Sequence, residues 1–149
     1  MRARAVALVA LALLGAAEPL RADELVVIVH PSRAASLGAD EIAQIFLRQR
    51  RRWPGGEAIV PVNHAADSAL RAAFARAVLA QSPQQLSVYW NRQYFHGVLP
   101  PATLASDEAV KRFVAGERRA IGYIRARALD ASVRALLHIP VSPPALPRD

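Results

Sequence analysis

The stretch Ile59-Val60-Pro61-Val62-Asn63-His64-Ala65-Ala66-Asp67-Ser68-Ala69-Leu70-Arg71-Ala72-Ala73-Phe74 decides how this chain is read. Ile59, Val60 and Val62 make a short apolar run, which predicts a buried strand over Ala58–Val62. Pro61 cannot donate to a ladder, so it belongs at a strand end or a sheet edge. Asn63 to Asp67 form a polar turn. Leu70, Phe74, Ala77 and Val78 then recur at helical spacing, which predicts a helix from Ser68 to Ala80 with Asp67 or Ser68 as its cap. A strand, a tight turn and a helix start together present backbone N–H groups to an anion.

The flanking segments alternate in the same way. Glu24 to His30 (ELVVIVH) is a continuous apolar run, as expected for a strand covered on both faces. Leu37 to Leu47 predicts a helix with Asp40 and Glu41 in its first turn and Ile42, Ile45 and Phe46 on its inner face. Arg48 to Arg52 holds four arginines, followed by the turn Trp53-Pro54-Gly55-Gly56. Positive charge after a helix end suits the helix dipole, so the run reads as a solvated basic turn, with a surface for an acidic partner as the alternative. Ser82-Pro83-Gln84-Gln85 is a capping box with proline at the first helical position, and it opens a helix reaching about Phe95. Leu86, Tyr89, Trp90 and Gln93 share one face of it, and its aromatic residues read as core packing. Ser106 caps another helix, with Val110, Phe113 and Val114 inward and Gly116 as its stop. Arg118–Ile124 and Val133–Ile139 read as further strands.

The ends of the chain read differently. Met1 to Arg4 is basic, Ala5 to Leu14 is apolar, and small residues follow, which is the pattern of a secretory signal peptide. The domain organisation is therefore a signal peptide over 1–22, cleaved after Ala17 or Ala22, a folded domain over 23–139, and a tail over 140–149 holding four of the 11 prolines. A retained N-terminal anchor is the alternative for the first segment. The net charge is +7, and losing residues 1–22 lowers it by two. The basicity is almost all arginine, since Lys111 is the only lysine. A basic exported protein meets anionic solutes, lipid or envelope polymers, and nucleic acid is not an expected partner. There is no cysteine, which removes thiol chemistry, zinc thiolates and disulfides. His30, His64, His96 and His138 are far apart and lack metal-ligand spacing, so no metal or other cofactor is expected. His64, Asp67 and Ser68 lie too close along one turn to align as base, orienter and nucleophile, so no catalytic residue is assigned.

The order of these segments is similar to a known family. Glu41-Ile42-Ala43-Gln44-Ile45-Phe46-Leu47, the basic turn with Trp53, Ile59-Val60-Pro61-Val62 with its polar turn, and Ala120-Ile121-Gly122-Tyr123-Ile124 together resemble the phosphate-binding component of the phosphate ABC transporter. The resemblance runs from about Leu25 to Ile124. It implies an α/β fold, a single lobe of the periplasmic-binding-protein type II fold, with a mixed sheet of three to five strands flanked by helices. Members of the family have two lobes, whereas this chain has room for about one. The family's anion turn reads His-Arg-Ser-Asp-Gly-Ser-Gly-Thr. Aligned on its second serine, His64 falls where the family has its phosphate arginine, Ser68 keeps the hydroxyl, Ala69 replaces glycine and Leu70 replaces threonine. Arg71 follows at once. The residues implied for an anion are thus His64, Ser68, Ala69, Leu70 and Arg71. The resemblance implies a non-enzymatic periplasmic binder of phosphate or another small anion, serving an ABC transporter. The alternative is an envelope interaction module that kept the lobe and lost the ligand, and a homodimer rebuilding a two-lobed cleft lies between the two.

Overall fold

The computed structural model describes residues 24–141. The expected signal peptide and all but the first two residues of the tail lie outside the described residues. Five strands form one mixed sheet in the order β3-β2-β4-β1-β5. β1 spans Glu24–Val29, β2 Val60–His64, β3 Ala102–Leu104, β4 Ala120–Arg125 and β5 Arg134–Pro140. β2 runs parallel to β3 and β4, and β1 runs antiparallel to β4 and β5. The helices are α1 (Ala39–Phe46), α2 (Ala69–Phe74), α3 (Pro83–Phe95) and α4 (Asp107–Gly116). Among the described residues no helix is long and apolar enough to cross a membrane.

The unbroken run of β1 has the environment it predicts. Leu25, Val27 and Val29 face one core with Ile42, Ile45, Phe46 and Phe74, beneath α1 and α2. Val26 and Ile28 face a second core with Val110 and Val114, beneath α4. Gly122 on β4 lets α4 come close. A Cβ there would lie 2.7 Å from Val110 Cγ1 and 3.1 Å from Val62 Cγ2. Its neighbour Tyr123 points the other way, since successive strand residues alternate. Its ring stacks on Phe74 at 4.0 Å between centroids, and Phe46 packs edge-on to Phe74 at 4.7 Å.

Pro61 sits on a strand that has a neighbour on each side, yet it leaves no ladder bond unmade. Val60 N–H donates to Arg119 on the β4 side, so by alternation Pro61 faces β3. The β2–β3 ladder begins only at Val62 opposite Ala102, one step after Pro61 and Pro101. Both prolines mark where pairing starts.

Three expectations need correction, and one strand was not foreseen. The helix after Ser68 is regular only to Phe74. It then widens into a π-helical turn over Ala75–Leu79 and ends at Ala80, whose φ is 51°. The wider turn advances the inward positions, so Ala75 is buried and Ala77 is exposed. The face predicted for α3 is right, but no α3 residue is buried, and Tyr94 and Phe95 are 65% and 86% exposed. Core packing is therefore the wrong reading of these aromatics, because no sheet face remains opposite them. Phe113 is also partly exposed, at the margin of the stripe set by Val110 and Val114. Finally, β3 had no pattern to predict it, being three residues long and mostly exposed.

The arginine run after α1 is tied to nearby groups. Arg50 pairs with Glu41 at 2.7 Å, Arg51 Nε donates to Arg48 O, and Arg52 donates to Gly56 O. Trp53 is buried within the same turn and donates its indole N–H to Arg119 O at 3.0 Å.

Candidate functional site

The three parallel strands β3, β2 and β4 finish at one edge of the sheet, with Leu104, His64 and Arg125 as their last residues. α2 and α4 begin at the same edge. The carboxyl ends of parallel strands are where open α/β sheets hold their ligands. Ser68 caps α2 through Oγ, which accepts from Arg71 N–H at 3.3 Å. Ser106 caps α4 through Oγ, which accepts from Ala109 N–H at 3.1 Å.

His64 turns inward and is 3% exposed. Its Nε2 lies 2.8 Å from Tyr123 O. A carbonyl only accepts, so Nε2 carries the proton. The same nitrogen is 3.7 Å from Asp107 Oδ1. Asp107 Oδ2 accepts from Arg125 at 3.0 Å, while the buried Oδ1 has no hydrogen-bond partner among the described residues. Asn63 Oδ1 accepts from both His64 N–H and the Tyr123 hydroxyl. Burial pushes the Tyr123 phenol above its ordinary range, opposed by the His64 backbone N–H and then by the Arg71 charge. The phenol is thus a neutral donor at physiological pH.

Arg71 folds back across the turn, and its Nη1 donates to His64 O at 3.0 Å. Among the described residues this is its only side-chain bond, which leaves further guanidinium N–H groups available beside the turn. Ala69 is exposed and Leu70 is buried in the core beneath α1 and α2. The N–H groups of Ala69 and Leu70 lie in the first turn of α2, where no intrahelical acceptor exists.

The residues expected from the sequence are therefore split. Ser68, the N–H groups of Ala69 and Leu70, and the Arg71 guanidinium come together at the turn. The His64 imidazole and the Leu70 side chain are committed to the interior. Sequence reading missed Asn63, Asp107, Tyr123 and Arg125. Tyr123 lies within the Ala-Ile-Gly-Tyr segment, and Asp107 directly follows a helix cap, which are the signals that pointed to them. Among the described residues no group of three or more His, Asp or Glu side chains is placed to hold a metal ion.

This sheet and its helices are a single α/β lobe of the periplasmic-binding-protein type. The chain is similar in structure to an ABC-type phosphate transport receptor from Vibrio cholerae, with a TM-score of 0.64 at 22% identity, covering 76% of this chain and 45% of that one. It is also similar to a putative phosphate ABC transporter substrate-binding protein with bound phosphate from Clostridium perfringens, with a TM-score of 0.61 at 24% identity, covering 76% and 44%. PstS from Borrelia burgdorferi gives 0.60 at 13% identity, covering 85% and 49%. The chain thus spans less than half the length of these proteins. No protein-family model and no curated protein matches the sequence.

Proposed function

We propose that this chain is an exported, non-enzymatic solute-binding-like protein that takes phosphate or a similar small anion at the turn between β2 and α2. The observation that carries this reading is the Arg71 guanidinium, held across the turn by one bond to His64 O with other donors unengaged. The anion would receive the N–H groups of Ala69 and Leu70, the Ser68 hydroxyl and the charge of Arg71. His64 then acts through its backbone carbonyl, which anchors Arg71, while its ring locks β2 to β4. The proteins of this fold named above include a phosphate transport receptor and a substrate-binding protein with bound phosphate, which favours phosphate among small anions. An ABC transporter of the envelope is the partner this reading supplies.

The strength of such a site is bounded. A helix end contributes about 0.3–1 kcal/mol to an exposed anion. Hydrogen bonds to a charged group add about 1.5–3 kcal/mol each. A millimolar Kd needs about 4.1 kcal/mol. One or two bonds from Arg71 with the helix end therefore give an affinity on the order of millimolar. Calorimetry with inorganic phosphate tests this. Saturable heat in that range, lost in Arg71→Ala, is the expected result, and a folded sample giving no heat at tens of millimolar removes the proposal.

A second reading, an interaction module without ligand, is favoured by the inward turn of His64 and Leu70 at positions that match an arginine and a threonine of the family's anion turn. That reading expects no phosphate heat together with retention of a specific envelope partner.

A further inference from the structure

The segment from Ser82 to Ser106 differs from the rest of the molecule. Charged residues make up 21% of the chain, yet in these 25 positions Arg92 is the only one. The segment is rich in aromatic and aliphatic side chains that the fold leaves uncovered. Val88, Tyr94, Phe95 and Leu99 are between 60% and 86% exposed. α3 buries no residue, and among the described residues its long-range hydrogen bond is a single one, from the Tyr89 hydroxyl to Leu47 O at 2.7 Å. The same segment ends in β3, an edge strand of the sheet whose outer side has no neighbour among the described residues. Edge strands are usually blunted by shortness, charge or proline, and β3, at three residues, has the first of these. Here Pro100 and Pro101 stop short of it, and Ala102-Thr103-Leu104 carries neither of the other two.

We propose that this surface, formed by the C-terminal part of α3, the following loop and the outer edge of β3, is where a second copy of the chain docks about a two-fold axis. Three observations select that occupant. First, depletion of charge with enrichment of aromatic residues and arginine marks the centre of a protein interface. Second, the patch is self-compatible. It holds no carboxylate, and Arg92 is its only full charge, so two copies can meet without burying an unpaired acid. An acidic partner would find far more charge on the arginine-rich turns elsewhere. Third, the exposed apolar area supplies a substantial share of what a dimer buries. Taking about 200 Å² for a whole aromatic side chain, the exposed fractions of Tyr94 and Phe95 amount to roughly 300 Å². Val88, Leu99, the loop and the β3 edge extend this toward the about 800 Å² per partner of a standard interface. The inference does not depend on whether the β2–α2 turn binds an anion.

Sedimentation velocity on the chain from Asp23 to Asp149, which retains every described residue, tests it. At about 100 μM the protein is expected to sediment with twice its sequence mass. Phe95→Glu is expected to sediment as a monomer with an unchanged far-UV circular dichroism spectrum, since Phe95 is 86% exposed and contributes almost nothing to the interior. Arg112→Glu, on the outer side of α4, is expected to remain a dimer. Leu99→Gln, outside any helix, is the second variant should Phe95→Glu fail to fold, and it too should be monomeric. A wild-type monomer at that concentration overturns the proposal, as does a dimer indifferent to both substitutions. A monomer that pellets with phosphatidylglycerol vesicles also overturns it, because the patch would then belong to a lipid surface.

Discussion

α3 and α4 start alike and end in opposite environments. Each is capped by a serine whose Oγ accepts the N–H three residues on, and each carries an apolar stripe at helical spacing. α4 lies against β4 and buries Val110 and Val114 completely. α3 is the longer helix, holds four aromatic residues and buries none. The difference is not in local propensity. It comes from the sheet, where Gly122 leaves room for Val110 of α4 beside Val62 of β2, while α1, α2 and the π-helical turn already cover the other face. A stripe records which side of a helix is apolar, and the partner of that side has to be found elsewhere.

The contrast can be broken most sharply at Gly122. Gly122→Val inserts atoms into a gap already at van der Waals contact, and overpacking typically costs about 1–3 kcal/mol before helix displacement is added. We expect a loss of at least about 3 kcal/mol or failure to fold, read by urea denaturation. Phe95→Ala on α3 should change monomer stability by no more than about 0.5 kcal/mol. If the two substitutions cost the same, α3 is seated as firmly as α4.

A smaller effect is expected where the π-helical turn hands over to α3. Ala80 has a φ of 51°, a left-handed conformation that strains a residue with a Cβ. Ala80→Gly removes that strain but adds freedom to the unfolded chain, so a net gain of up to about 1 kcal/mol is expected in thermal melts. A loss there would show that the turn is held by contacts of the alanine methyl.

The smallest effect concerns the corner between α4 and β4. Glu117 is lowered from 4.5 to about 2, chiefly by its side-chain hydrogen bond from Arg119 and then by the Arg119 backbone N–H. A depressed carboxylate contributes stability that is fully present above the unfolded pKa and is lost as pH falls through the folded one. Acid titration from pH 5 to pH 2 should therefore show a shallow loss of stability that Glu117→Gln lacks. Because the pair is exposed, the effect should shrink at high salt.

These particulars also mark how far the sequence could be read. β1 was legible because five consecutive apolar residues, Leu25 to Val29, rich in valine and stopped by Pro31, suit a short strand covered on both sides. The starts of α3 and α4 were legible because capping is a local interaction. The π-helical turn was not, since the apolar spacing of Leu70, Phe74 and Val78 suits an α-helix equally well. β3 was hidden because a three-residue edge strand is defined by its neighbour β2 rather than by its own pattern. At the candidate site, the sequence reading set His64 toward the anion, whereas its ring is buried against Tyr123 O. Asn63 and His64 alternate along one strand, and only the positions of Tyr123 and Asp107 decide which of them faces inward. Arg71, proposed from its position alone, is the residue that stays beside the turn.

The account therefore rests on the β2–α2 turn, and amide chemical shifts during a phosphate titration test it most directly. With millimolar phosphate, the N–H signals of Ala69, Leu70 and Arg71 should shift along one saturable curve. They should stay in place in Arg71→Ala. Shifts confined to the Arg48–Arg52 turn, or no saturable shift at Ala69 and Leu70, would contradict it.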